Sequence, residues 1–252
     1  QGCIVANPSD SNFDGCVQLN DLLDLLSAYG DCAAEESPWQ CGDPLEYQGY
    51  DYETVLIGEQ CWFAENLRAE NYENGDAIPS ALTDSEWQNT TSGAVAVYGE
   101  DAGICTDWSP DIDPCDPIQS LNEYGRLYNW YAVDDARGLC PSAWHVPIDG
   151  EWTVMTDHLG GESVAGIQMK MDFGWYDGGN GTNSSGFSGL PGGNRNGGGG
   201  FLDAGTFASW WSSSAFGPDA WKLYMWQYSE NVSGSYGTPQ SGYSIRCIKD
   251  AE

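Results

Sequence analysis

Nine cysteines, scattered along a chain of 252 residues, constrain this fold more than any other feature. They are Cys3, Cys16, Cys32, Cys41, Cys61, Cys105, Cys115, Cys140 and Cys247. No two form a CxxC pair, so the pattern indicates neither a zinc ribbon nor a thioredoxin-like site. Scattered cysteines read instead as disulfides made in an oxidising compartment. The odd count leaves one thiol over. The chain also holds 12 Trp, 14 Tyr and 7 Phe, too many aromatics for a disordered acidic polymer. Its 33 Gly point to a loop-rich domain rather than to long helices.

The charge balance narrows the partners. There are 38 acidic side chains against 8 basic ones, a formal net charge of −30. Phosphate backbones are bound by clustered Lys and Arg, so nucleic acid is excluded as a partner. An anionic membrane surface is excluded on the same ground. Such a chain suits divalent cations or saline surroundings, where an acidic surface stays soluble. No apolar run approaches the roughly 18 residues of a membrane span, so no membrane insertion is expected. The sequence opens at Gln1 with neither a Met nor a basic-then-apolar leader, which reads as a processed chain at an extracellular or bacterial cell-surface location.

Residues 10–21 fit a twelve-residue calcium loop. Asp10, Asn12 and Asp14 supply oxygens at positions 1, 3 and 5, and Gly15 stands at position 6, where the chain must turn sharply. The backbone carbonyl of Cys16 serves position 7, Gln18 position 9 and Asp21 position 12. Ca2+ is the expected cofactor. The shorter Asp at position 12, in place of the usual bidentate Glu, predicts a tighter or altered geometry. Leu19, Leu22, Leu23, Leu26 and Tyr29 follow at helical spacing, with Gly30 placed as a C-cap. The unit resembles one dockerin repeat. Dockerins carry two, and only one is present here. Cys3 and Cys32 flank the unit and are expected to pair if the N-terminal strand runs back along the helix. Cys16 lies at the far end of a helix roughly 16 Å long, which makes it the candidate for the unpaired thiol or for a bond to another chain.

Residues 33–40 have no periodicity and contain a proline, so they read as a linker between a 1–32 module and a 41–252 domain. In the larger domain, Tyr52–Ile57 and Gln60–Trp62 read as a hairpin turning at Gly58-Glu59. Cys41 and Cys61 would tie the entry segment to it. Tyr124, Leu127, Tyr128 and Tyr131 share a helical face, which predicts a helix over Asn122–Val133. A second is expected over about Asp149–Leu159, with Trp152, Met155 and Leu159 inward and Gly160-Gly161 stopping it. Residues 172–200 read as long loops anchored by Trp175, Tyr176 and Phe187. Trp221–Tyr228 and Tyr243–Ile248 read as closing strands. The fold class is α+β.

Several blocks carry a family resemblance. They are Tyr52-Glu-Thr-Val-Leu-Ile-Gly-Glu-Gln-Cys-Trp-Phe-Ala-Glu-Asn-Leu67, Tyr124-Gly-Arg-Leu-Tyr-Asn-Trp-Tyr-Ala-Val133 and Leu139-Cys-Pro-Ser-Ala-Trp-His-Val-Pro147. Asn183-Ser-Ser-Gly-Phe-Ser-Gly-Leu-Pro-Gly-Gly193, Trp210-Trp-Ser-Ser-Ser214 and Ser244-Ile-Arg-Cys-Ile-Lys-Asp250 follow in order. Together they resemble the Fibrobacter succinogenes major paralogous domain family, secreted or surface proteins of bacteria with no settled activity. The resemblance implies a C-type-lectin-like fold, loop-rich and disulfide-bonded, close to that of formylglycine-generating enzymes. It also implies a Cys140–Cys247 bridge. The family's usual Thr is replaced by Ile148, so Asp149 is expected to cap the following helix instead.

Catalytic constellations are sparse. The two histidines are His145 and His158, and no HExxH, GxSxG, P-loop or dinucleotide fingerprint sits in a workable context. His145 lies inside a family motif and reads as a packed or hydrogen-bonded residue. No enzyme activity is expected. A second acidic cluster, Asp107, Asp111, Asp113 and Asp116, surrounds an expected Cys105–Cys115 loop and reads as a rigid solvated loop or a second calcium site. Trp175, Trp210, Trp211, Trp221 and Trp226 could stack on sugars or build the core. The leading expectation is therefore a secreted, calcium-stabilised structural or adhesion protein that self-associates into an extracellular fibre or surface layer. The alternative is a carbohydrate-binding, lectin-like module with glycans as partners.

Overall fold

In a computed structural model of the chain, the described residues are 39–100, 105 and 107–251. The calcium loop, its helix, the Cys3–Cys32 pair, Cys16 and most of the linker lie outside them.

The chain enters through β1 (Leu45–Tyr47) and β2 (Tyr50–Tyr52), then forms the hairpin β3 (Thr54–Ile57) and β4 (Gln60–Phe63). Its two-residue turn is Gly58-Glu59, as the sequence suggests, and Gly58 takes a φ of 65° that L side chains rarely adopt. After α1 (Asp84–Asn89) and β5 (Val95–Ala96) come α2 (Pro117–Tyr124), β6 (Leu127–Asn129) and α3 (Trp130–Val133). Next are β7 (Trp144–His145), α4 (Asp149–His158) and α5 (Glu162–Met169). The C-terminal part is strand-rich: β8 (Gly192–Arg195), β9 (Phe201–Ala204), β10 (Phe207–Phe216), β11 (Asp219–Trp226), β12 (Ser233–Gly237), β13 (Gly242–Tyr243) and β14 (Ile248–Lys249). The fold is mixed, with more sheet than helix.

The strands form four antiparallel sheets: β1-β2, β3-β4-β14-β7, β5-β6-β13-β8-β9 and β10-β11-β12. The stretch Gly242–Lys249 binds two of these together. β13 pairs with β6 and β8, whereas β14 pairs with β4 and β7. Between them Ser244 bridges Trp210, so this stretch passes between sheets instead of forming the single Tyr243–Ile248 strand expected from sequence.

One expected helix is corrected more sharply. Residues 122–133 are not one helix: α2 ends at Tyr124, Gly125 turns with a φ of 72°, and Leu127–Asn129 is a strand between β5 and β13. A Cβ at Gly125 would stand 3.0 Å from the Leu67 carbonyl oxygen, so close approach as well as conformation requires glycine. Tyr124, Leu127 and Tyr128 are buried as the helical face required, but a turn and a strand bury them. The cap of α4 differs too. Ile148, not Asp149, occupies the N-cap; its N–H donates to Glu151 Oε2 at 2.8 Å, and the Asp149 N–H donates to Ser214 Oγ at 3.0 Å. Trp152 and Met155 point inward, as expected.

The main core collects Trp62, Trp152, Trp175, Phe187, Trp210 and Met225 with aliphatic neighbours. Its centre is polar. Asn66 Oδ1 accepts from Trp210 Nε1 at 2.8 Å and from Arg246 Nε at 2.7 Å, while Asn66 Nδ2 donates to the Tyr124 carbonyl at 2.8 Å. The fully buried Arg246 guanidinium also donates to the carbonyls of Phe63, Phe187 and Ser188 and lies 4.3 Å from the Phe187 ring centroid. Burial drives its pKa down, to about 9, so it stays charged at neutral pH. A buried cation is tolerated only with its donors satisfied, and these carbonyls satisfy them.

Candidate functional site

Asp10, Asn12, Asp14, Cys16, Gln18 and Asp21 lie outside the described residues. The second acidic cluster is described, and its members bond separately to the protein. Asp107 accepts from Tyr98 OH, Asp111 from the Gly174 N–H at 2.8 Å, and Asp113 from the Cys115 N–H at 2.9 Å. Asp116 caps α2 by accepting from the Ile118 N–H. Among the described residues, no three His, Cys, Asp or Glu side chains come together as a metal site.

All six described cysteines that the sequence pairs are bonded as expected: Cys41–Cys61, Cys105–Cys115 and Cys140–Cys247. His145 is a clamp. Its Nδ1 lies 2.6 Å from Asp250 Oδ1 and its Nε2 3.0 Å from both Glu151 oxygens. Burial opposes the imidazolium, but the Asp250 and Glu151 carboxylates prevail and hold the pKa above the usual 6.5. With both nitrogens engaged, His145 joins β7, α4 and the segment after β14. Lys170 is similarly held: Nζ donates to the carbonyls of Trp226 at 2.6 Å and Ser229 at 2.7 Å and lies over Trp175.

The tryptophans that sequence left open divide between core and surface. Trp175, Trp210 and Trp211 are fully buried. Trp221 and Trp226 are half-buried. They belong to the β10-β11-β12 ribbon, where residues opposite one another share a face. On one face, Ala208, Trp210, Leu223 and Met225 enter the core. Farther along that face lie Trp221, Phe216 and Tyr236, because Phe216 is opposite Asp219 and Tyr236 is opposite Trp221. Phe216 and Tyr236 stack with ring centroids 5.1 Å apart, and Trp221 meets Phe216 at 4.8 Å. Phe216 is 44% exposed and Tyr236 54%. The apolar face thus continues past the core into solvent.

The opposite face carries Phe207, Tyr224 and Trp226 around Lys222. Its Nζ lies 5.1 Å from the Phe207 and Tyr224 centroids and 4.5 Å from that of Tyr243. Burial lowers its pKa to about 8, and cation–π attraction offsets part of that penalty. Tyr228 stacks on Trp226 and is 78% exposed, at the rim of a 350 Å³ cleft that also includes Lys170, Asp177, Asn180 and Glu230. The three ribbon strands together carry one acidic side chain, Asp219, and one basic, Lys222. In a chain of charge −30 this surface is neutral. Sequence reasoning weighed Trp221 and Trp226 but not Phe216 or Tyr236; the absence of any acid between Glu230 and Asp250 was the available signal.

The Fibrobacter succinogenes major domain profile matches residues 55–249. The chain belongs to that family. The match spans the hairpin apart from Thr54, the clamp apart from Asp250, the buried Arg246 and the whole ribbon. No curated protein and no solved structure matches the chain. No described helix is long and apolar enough to cross a membrane.

Proposed function

We propose that this member of the Fibrobacter succinogenes major domain family is a secreted, calcium-stabilised structural or adhesion protein that associates with itself into an extracellular fibre or surface layer. The observation carrying this reading is the neutral, aromatic end of the β10-β11-β12 ribbon on an otherwise strongly acidic chain. Exposed contiguous aromatics mark interaction surfaces. A non-catalytic role is supported by the engagement of both His145 nitrogens and by the bonding of Cys247 to Cys140. The same bridge, joining a cysteine before α4 to one beside the last strand, supports a C-type-lectin-like fold. The loop-helix unit at 1–32, with Asp10, Asn12, Asp14, Cys16, Gln18 and Asp21 as ligands, would hold Ca2+ and leave a Leu-rich face for a neighbouring copy to cover.

Negative-stain microscopy of the full chain with calcium and with chelator tests the reading. Ordered assemblies in calcium that vanish in chelator, and in a chain lacking residues 1–32, are expected. Monodisperse particles in both conditions contradict it. One observation favours a second reading, glycan binding: exposed Tyr228 borders a cleft with polar side chains, an arrangement on which a sugar ring can stack. Retention on a glycan array, lost in Tyr228→Ala, would move that reading ahead.

A further inference from the structure

The ribbon ends in an unguarded edge. β12 lies outermost in the order β10-β11-β12 and pairs with β11 from Ser233–Tyr224 to Gly237–Ala220. Outside that ladder, no hydrogen bond reaches the backbone of Ser233, Gly234, Ser235, Tyr236 or Gly237 among the described residues. A strand with one side paired presents a row of free N–H and C=O groups to any strand that approaches. Proteins usually block such edges with Lys, with Pro, with an inward charge or with a bulge. β12 has none of these within its five residues, and Pro239 comes only after it ends.

Charge selects the occupant. Two copies of a −30 chain repel over most of their surfaces, and that repulsion grows as they approach. No acidic residue stands between Glu230 and Asp250, a stretch containing all of β12 and β13. An edge that meets its own counterpart presents this acid-free stretch on both sides. Side-chain size supports the same pairing. An antiparallel match about a two-fold axis at Ser235 sets Gly234 of one copy opposite Tyr236 of the other. Nothing lies within 4 Å of where a Gly234 Cβ would stand, so there is room there for an aromatic ring. Tyr236 is exposed beside Phe216 and available to fill it.

We propose that β12 is a self-association edge: two copies pair β12 to β12 antiparallel about Ser235, joining their ribbons into one six-stranded sheet. This rests on the self-association reading above and names an interface that does not need calcium. Such a contact is isologous and closes as a dimer; growth beyond the dimer needs a second, different contact.

The test is sedimentation velocity of the full chain in chelator, where calcium-dependent contacts are absent. The wild type is expected to sediment at twice the monomer mass in concentrated solution. Gly234→Glu, whose Cβ meets no atom within 4 Å, sets two new carboxylates in the joint and is expected to halve that mass without shifting the melting temperature. Ser235→Cys places one thiol from each copy at the axis, and mild oxidation should yield a 235–235 peptide in mass spectrometry. A wild type that stays monomeric in chelator, or a Gly234→Glu dimer as tight as wild type, overturns the interface. A dimer with no 235–235 peptide overturns the register. The calcium reading fails separately: if adding calcium to the wild-type dimer yields nothing larger, that reading falls while the edge stands.

Discussion

The two ends of the β10-β11 pair are built from the same residue types and meet opposite fates. At one end Trp210, Leu223 and Met225 are covered by α4 and α5 and by Phe187. At the other, Phe216 and Trp221 continue the same face, Tyr236 joins them from β12, and Phe216 and Tyr236 are exposed among the described residues. Composition does not separate the ends. Coverage does, and it is a property of the tertiary fold. The buried end is also specified by polar bonds: Trp210 Nε1 is fixed on Asn66, and Asn66 is fixed by Arg246. The exposed end has stacking alone. A face that is first locked and then left open is organised for stability at one end and for contact at the other.

The largest effect should come from the covalent tie near the buried end. Replacing Cys140 and Cys247 with Ala opens a bridge across 107 residues, where loss of chain constraint is worth about 5 kcal/mol. The Cys105–Cys115 bridge, across 10 residues, should be worth about 3 kcal/mol. Urea denaturation of the two double variants checks the order. A larger loss for the short bridge would mean that strain or residual structure, not loop length, controls both.

Arg246→Leu should come next, at about 3–5 kcal/mol. It strips a donor from Asn66 and from the carbonyls of Phe63, Phe187 and Ser188, where the guanidinium is buried. Trp210→Ala should cost a comparable amount, about 3–5 kcal/mol. Phe216→Ala and Tyr236→Ala, at the open end, should each change stability by only about 0.5 kcal/mol. Equal losses at the two ends, in denaturant melts of the full chain kept dilute, would break the comparison.

The smallest effect concerns pH. His145 is charged more readily in the folded chain than in the unfolded one, so its contribution is complete below 6.5 and is lost as pH rises through the raised folded value. Lys170 and Lys222 shift the other way, each to about 8, and their penalty is relieved above that pH. The difference between wild type and His145→Gln isolates the clamp. Melting temperatures from pH 5 to pH 9 should converge as pH rises. Parallel curves would show that the bonds to Asp250 and Glu151 do not depend on the proton.

Much of the domain was legible because local chemistry decides it. Gly58-Glu59 turns a hairpin wherever its flanking strands pair, and Trp152 and Met155 at helical spacing require α4. The bridges followed from chain order and family pattern. Leu127–Asn129 was not legible, because its apolar spacing fits a helix and only pairing to β5 and β13 makes it a strand. Gly160-Gly161 signalled a stop but not that α5 starts at once beyond it. Arg246 sat in a recognisable motif, yet its role depends on carbonyls from residues 63, 187 and 188, which only the fold assembles. The open face was hidden for the same reason: no pattern along β10 says where α4 and α5 end.

Amide hydrogen exchange of the full chain, dilute against concentrated and in chelator, tests most directly whether the open end is the contact surface. The account predicts that concentrating the protein slows exchange in Ser233–Gly237 and leaves the β3-β4 hairpin, equally regular but remote in the sheet order, unchanged. Exchange in Ser233–Gly237 that stays equally fast at both concentrations would contradict it.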